Sequence, residues 1–351
     1  MKKCRKLLAM ACACACLLAL VSGCSNSSSS SSSSASSAGS NSGSSASSGG
    51  STATTTDFPK DTVNIICHAA AGGGTDAMLR QVASVIQDQL GWTMTVENMS
   101  GGSGSVAIQY VMSSEPDGYT IGSAPVELSM IEALGYTDVG PDDVQLLGMA
   151  MSQPAALYVS ASAEYTTLEE FIAYCQANPG KVRIANSGIG SIWHIAACVL
   201  ADQTGIEIQH IPYDGASGAM TALLGNEIEA CVVGAGEGYA YVESGDMICL
   251  AVFGPERSSL MPDAPTAIEC GYEDLTVLSW AGILGPKGMD EGVLNTLVDA
   301  LKTAFESEEY IAFCEGRGMD PTYYSPDEFL TLAQGDYEYY SELITRLGIA
   351  S

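Results

Sequence analysis

Basic side chains are scarce in this 351-residue chain. It has 13 Lys and Arg against 41 Asp and Glu, and four of the 13 stand together at Lys2, Lys3, Arg5 and Lys6. From residue 24 onward nine basic residues face all 41 acidic ones, a formal charge near −32. Such a balance argues against nucleic acid as a partner and against a surface that lies on anionic lipid; its ordinary effect is solubility. Histidine is scarcer still. His68, His194 and His210 are far apart, with no H-x-x-x-H and no Cys/His cluster of the kind that holds zinc. No G-x-x-x-x-G-K-[S/T] and no G-x-S-x-G occurs, so neither a P-loop nor a nucleophile elbow is read, and no metal or cofactor is expected. No paired general acid and base stands out.

Cysteine makes no framework. Cys4, Cys12, Cys14 and Cys16 lie in the leader, and Cys24 closes it. Cys67, Cys175, Cys198, Cys231, Cys249, Cys270 and Cys314 form an odd set without a C-x-x-C pair, mostly among apolar neighbours. They are expected as buried free thiols acting as small apolar residues.

Residues 1–23 join the basic start to an apolar run at 7–21, the pattern of a secretory signal peptide and too short for a membrane span. The run ends in Leu20-Val-Ser-Gly-Cys24, which resembles a bacterial lipobox with Cys24 as the lipidated residue. The alternative is an ordinary secretory signal with a Cys at that place. After Cys24 the chain to residue 56 is Ser, Ala, Gly, Asn and Thr without a charge or an aromatic, and 24–56 reads as a flexible tether. The folded part, 57–351, suits two domains.

The stretch that organises the rest is His68-Ala-Ala-Ala-Gly-Gly-Gly-Thr-Asp76. An apolar strand at 63–67 precedes it and an amphipathic helix at 77–90 follows. Strand, glycine turn and helix place unpaired N–H groups at a helix N-terminus, an anion site by geometry. Strand 93–97, loop 98–104, helix 106–113, strand 119–122 and loop 123–126 continue the pattern, and 146–151 and 155–160 read as two apolar runs leading to the next domain. The middle of the chain repeats the unit: helix 167–177, strand 182–185, the loop Asn186-Ser-Gly-Ile-Gly-Ser191, helix 192–203, strand 206–210, the loop Pro212 to Gly218 and helix 219–224. Two such units predict two similar α/β domains with helix N-termini facing a shared cleft. Strands 230–234, 247–253 and 280–284 and helices 294–307 and 327–347 complete the chain. The expected domains are 57–158 with 279–351, and 159–278. His68 lines the cleft or supports the turn. Asp76 fixes the turn by accepting N–H bonds, and His194, in a helix's first turn, is neutral.

In order and spacing, several motifs together resemble the solute receptors of tripartite tricarboxylate transporters, the Bug-type receptors. They are Ala70-Ala-Gly-Gly-Gly-Thr-Asp76, Glu97-Asn98 with Gly101-Gly102, Pro116-Asp-Gly-Tyr-Thr120, Asn186-Ser-Gly-Ile-Gly-Ser with His194, Ile211-Pro-Tyr213 and Pro262-Asp-Ala-Pro-Thr266. The resemblance implies a periplasmic binding protein type II fold, two α/β domains closing on a small carboxylate-bearing solute, hinged near Leu157 and Leu278. It implies delivery to membrane permease subunits, no enzymatic activity and a monomer. Carried over residue by residue, the first loop is Ala69, Ala70, Ala71, Gly72, Gly73, Thr75 and Asp76, with His68. The second is Ser187, Gly188, Gly190, Ser191 and His194, with Tyr213 and Ser123 beside the cleft. The family usually has Pro and an aromatic where this chain has His68-Ala69, which leaves a roomier, more polar end. Two rivals stand: a binding protein serving a signalling partner, and a secreted α/β enzyme built on Ser191 and His194.

Overall fold

Near-continuous apolar runs suit strands covered on both faces, and the first of them does so here. In the computed structural model, which describes residues 57–349, β1 (Val63–Cys67) is buried at four of its five positions. The leader, Cys24 and the tether lie outside the described residues. α1 (Gly74–Leu90) ends on Gly91 in the left-handed conformation and leads to β2 (Met94–Asn98). α2 (Ser105–Met112) and β3 (Thr120–Pro125) follow. β1 lies between β2 and β3, parallel to both.

β4 (Gln145–Ser160) is one strand where two runs were expected. Its middle residue of interest is Pro154, which has no N–H to give to a ladder. The strand changes sheets there, so little pairing is lost. Beyond it come α3 (Leu168–Ala177), β5 (Val182–Asn186), α4 (Ile192–Thr204), β6 (Ile208–Pro212) and α5 (Ala216–Leu224). β7 (Ala230–Gly234), α6 (Tyr239–Glu243), β8 (Met247–Phe253) and β9 (Leu278–Gly285) continue. α7 (Glu291–Phe305), α8 (Glu308–Glu315) and α9 (Pro326–Leu347) close the chain. The short helices α6 and α8 were not expected from the sequence.

The strand order β2-β1-β3-β9-β4 makes the first lobe, and β4-β7-β5-β6, with β8 on the other side of β4, makes the second. Gln145 to Pro154 pair with β9, whereas Ala155 onward pairs with β7 and β8. The return crossing lies alongside: Val277 N–H bonds Phe253 O at 2.8 Å, and β9 begins at the next residue. The first crossing thus falls three residues before Leu157, while the second coincides with Leu278.

In the first lobe Met78, Leu79, Val82 and Val85 of α1 pack with Leu297, Leu301 and Phe305 of α7 under one sheet face. Ile108 and Val111 of α2, with Phe329 and Ile344 of α9, belong to the core that continues into the second lobe, where Phe171, Ile184, Leu200 and Val232 are buried. All seven cysteines between 57 and 349 are free; five are buried, and Cys198 and Cys270 are partly so.

Candidate functional site

The first glycine turn is built around one carboxylate. Gly72, at φ +83°, takes the left-handed conformation that reverses the chain between β1 and α1. Asp76, 4 % exposed, accepts from Gly72 N–H at 2.9 Å, from Arg80 at 2.8 Å and from Asn98 Nδ2 at 2.8 Å. Burial is the largest single influence and disfavours its ionisation, but the bonds from Arg80, Gly72 and Asn98 together outweigh it and hold the carboxyl below its usual range. Asn98 also donates to Ala69 O at 2.9 Å, tying the turn to β2. The N-cap, Gly73, has no side chain to offer, and the first bond back is from Ala77 N–H to Gly73 O. The N–H groups of Gly74, Thr75 and Asp76 therefore leave the helix end uncapped. Behind the turn Ser123 Oγ accepts from His68 N–H at 3.0 Å and lies 2.8 Å from His68 Nδ1. Burial lowers the His68 pKa to about 4, so the ring is neutral.

The second turn, which the sequence presents as its equal, has several of its donors taken by side chains. Ser191 caps α4 by accepting His194 N–H, and Ser191 Oγ in turn donates to Gly188 O at 2.9 Å. Gly188 N–H bonds Asn186 Oδ1, and Gly190 N–H bonds His194 Nδ1. Ile192 N–H, the first of the helix, is taken by Glu127 Oε1 of the other lobe at 3.0 Å. The open helix end in this lobe belongs to α5. Its N-cap is Gly215, at φ +89°, with no side-chain cap, so the N–H groups of Ala216 and Ser217 are free of one.

Both ends meet at a cavity of about 510 Å³ between the lobes. Of the residues expected at the site, His68, Ala69, Ala70, Ala71, Gly73 and Thr75 line it from the first turn. Ser187, Gly188, Ser191 and Tyr213 line it from the second lobe. Gly72 faces a smaller adjoining cavity, and Asp76, Ser123, Gly190 and His194 stand behind the walls as supports. Sequence reasoning missed Gly215, Ala216, Ser217, Gln153, Glu127 and Glu237, all of which line the cavity. The α5 end was within reach, because Asp214-Gly-Ala-Ser-Gly218 repeats the glycine-before-helix signal. The acids were not, since nothing local marks them.

The lobes touch around the cavity. Ser103 Oγ and Tyr136 OH both donate to Ile189 O, at 3.0 and 3.2 Å. At another contact Gly236 lies so near the opposite lobe that a Cβ there would collide with Arg317 O.

Residues 78–349 match the family described as Tripartite tricarboxylate transporter family receptor. This chain belongs to that family. It is 31 % identical to the UPF0065 protein in gbd 5'region of Cupriavidus necator, over 85 % of this chain and 91 % of that one. A TctC solute binding protein from Polaromonas superposes with a TM-score of 0.65 at 30 % identity, covering 82 % of this chain and 99 % of that one. An R. palustris protein solved with adipate, 24 % identical, shares the fold with a TM-score of 0.79 over 84 % of this chain and 99 % of its own. The architecture is therefore that of the two-domain periplasmic binding proteins, and the chain is a solute-binding protein of the receptor type, whose family is extracytoplasmic. Among the described residues no helix is long and apolar enough to cross a membrane.

The receptor fold also assembles what the sequence keeps apart. Within 4.8 Å of one another lie ligand atoms of His194, Cys198 and His210. Gly190 N–H donates into His194 Nδ1, which leaves the ring proton on Nε2, the atom 3.7 Å from Cys198 Sγ. A metal ion at Nε2 would have to displace that proton, so the free chain presents a hydrogen-bonded cluster. Burial, then the neighbouring His210, lowers the His194 pKa to about 4. Ser191 and His194 do not form a nucleophile–base pair: Ser191 Oγ meets His194 only through the backbone N–H.

Proposed function

We propose that this protein is a lipid-anchored, extracytoplasmic receptor that closes on a small carboxylate-bearing solute and delivers it to the permease subunits of a tripartite transporter. The observation that carries this reading is the cavity between two lobes with the uncapped ends of α1 and α5 on its walls. Uncapped N–H groups and aligned peptide dipoles suit a carboxylate without an Arg clamp, and no Lys or Arg lines the cavity. The adipate-bearing relative of like fold agrees with such a ligand. His68 to Ala71 and Gly73 to Thr75 form one wall, and Ser187 to Ile189 and Ser191 with Tyr213 the facing one. The lobes are 57–158 with 279–351, and 159–278, turning on β4 and the segment before β9. The receptor acts as a monomer and releases its solute unchanged.

Cys24 carries the lipid and residues 24–56 the reach, which keeps the receptor near its permease and raises effective concentration. Cys24→Ala should move the protein from the membrane fraction to the soluble one; retention at the membrane would contradict the anchor. The solute assignment is tested by a melting screen of small carboxylates, amino acids and neutral vitamins, because binding raises apparent stability by mass action. Acids should raise the melting temperature. A response to neutral solutes alone would overturn the reading.

A further inference from the structure

The cluster behind the second turn has a direction. None of His194, Cys198 and His210 lines the cavity between the lobes, so it is a separate place in the molecule. Gly190 N–H donates to His194 Nδ1 at 3.2 Å, which makes this ring a donor at Nε2, and Nε2 faces Cys198 Sγ at 3.7 Å. The sulfur's own proton is left to point at His210 Nε2, 3.8 Å away. There the chain of bonds stops: His210 Nδ1 is buried with no partner among the described residues. The ring's one polar contact is therefore a weak thiol bond, a poor end for a half-buried imidazole.

The same spacing would hold a metal ion as it stands. Metal bonds of about 2.3 Å to a thiolate and about 2.0–2.1 Å to an imidazole, meeting at about 120°, put S and N roughly 3.7–3.8 Å apart. Cys198 and His210 are each partly exposed, so an ion has access to both. Burial pushes the Cys198 thiol up to about 12, so the free thiol is a poor nucleophile and an incoming ion must displace its proton.

We propose that Cys198 Sγ and His210 Nε2 bind one soft, thiophilic metal ion of low coordination number, with the chemistry of Cu(I), while His194 donates its Nε2–H to the sulfur. The ion takes the place of the thiol proton, which leaves to solvent, and no electron is transferred. Thiolate and imidazole suit Cu(I), and two protein ligands are too few for a closed zinc site. Gly190 keeps its bond to His194 Nδ1, so the second turn is unchanged by loading.

The test uses the full chain carrying Cys4→Ser, Cys12→Ser, Cys14→Ser, Cys16→Ser and Cys24→Ser, so that only the thiols of the folded part remain. The purified protein is loaded with one equivalent of Cu(I) under reducing, oxygen-free conditions and challenged with bathocuproine disulfonate. It should keep its ion at a chelator concentration that strips Cys198→Ala and His210→Ala. Cys270→Ala, at the other partly buried thiol, should behave as the parent does. His194→Ala should weaken binding roughly 10–100-fold, the range for a group that tunes a ligand. Circular dichroism checks the fold of each variant. On the parent itself, X-ray absorption should show one sulfur and one nitrogen on copper, and nitrogen NMR of the three histidines should show His194 still protonated at Nε2. Loss of the ion from the parent, equal retention by Cys198→Ala or His210→Ala, or loss from Cys270→Ala overturns the inference. So does a second nitrogen on copper or a His194 proton moved to Nδ1, which would make that ring a ligand. Zinc held as tightly as Cu(I) overturns the low coordination number. Every one of these outcomes leaves the solute reading of the cavity standing.

Discussion

Two turns of the same grammar end differently in this molecule. Gly72-Gly-Gly-Thr-Asp76 and Ser187-Gly-Ile-Gly-Ser191 each join a buried strand to a helix. In the first, the acid that orders the turn sits inside the helix's first turn and spends its bonds on Gly72, Arg80 and Asn98, leaving the helix end open. In the second, His194, Glu127 and Ser191 take the N–H groups of Gly190, Ile192 and His194, and the less occupied end is that of α5. A glycine turn before a helix thus supplies donors, and the neighbouring side chains decide whether a ligand receives them.

Removing one donor from each turn should break the symmetry most visibly. Gly74→Pro takes away an N–H at a position where proline fits a helix start, after a residue already extended at ψ 171°. Affinity for the best-binding acid should fall roughly 30-fold, about 2 kcal/mol for a hydrogen bond to a charged group, with melting nearly unchanged. Equal affinity in calorimetry would show the α1 end to be idle.

Asp76→Ala should instead cost stability, about 2 kcal/mol, because Arg80 is half exposed while Asn98 and Gly72 lose a buried acceptor. The sign with pH follows from its lowered pKa. The contribution of Asp76 is present above the unfolded value near 3.8 and is lost as pH falls through the folded one, so denaturant titrations of wild type and variant should converge in acid.

Glu127→Ala should open the α4 end and lower stability by about 1 kcal/mol. If the second turn is closed only by that acid, diacid affinity should rise in the same variant; no change would show that Ser191 and His194 suffice to close it.

The smallest effect is expected at Glu237. Its carboxyl is raised to about 7 from 4.5, so the charged form disfavours the fold, and stability is lost as pH rises between those values. Glu237→Gln should melt about 2–4 °C above wild type at pH 8, the shift that accompanies about 1 kcal/mol, and level with it below pH 4.5. Parallel melting curves across pH would contradict this.

Much of the fold was legible because it is written locally. Strands 63–67, 230–234 and 247–253 match β1, β7 and β8 residue for residue, since an apolar run bounded by turns has few other fates. β4 was read as two strands because Pro154 interrupts its pattern, and only the change of partner strand explains how it is accommodated. α1 and α5 each begin three residues earlier than their periodicity announces, because glycine and small residues carry no apolar signal. That shift hid Ala216 and Ser217. Glu127 reaches Ile192 across 65 residues of sequence, and Glu237 and Gln153 come to Gly74 from distant parts of the chain. Such contacts have no local period to betray them. In the His194–Cys198–His210 cluster the one-turn spacing of His194 and Cys198 was legible, and only His210, from β6, was not.

The central claim is that the ends of α1 and α5 receive the ligand and the end of α4 does not. Amide hydrogen exchange, with and without the best-binding acid, addresses it directly. Protection should rise at Gly74 to Asp76 and at Ala216 to Gly218, while Ile192 to His194 stay unchanged. Protection that appears at Ile192 to His194 and is absent from Ala216 to Gly218 would contradict the account.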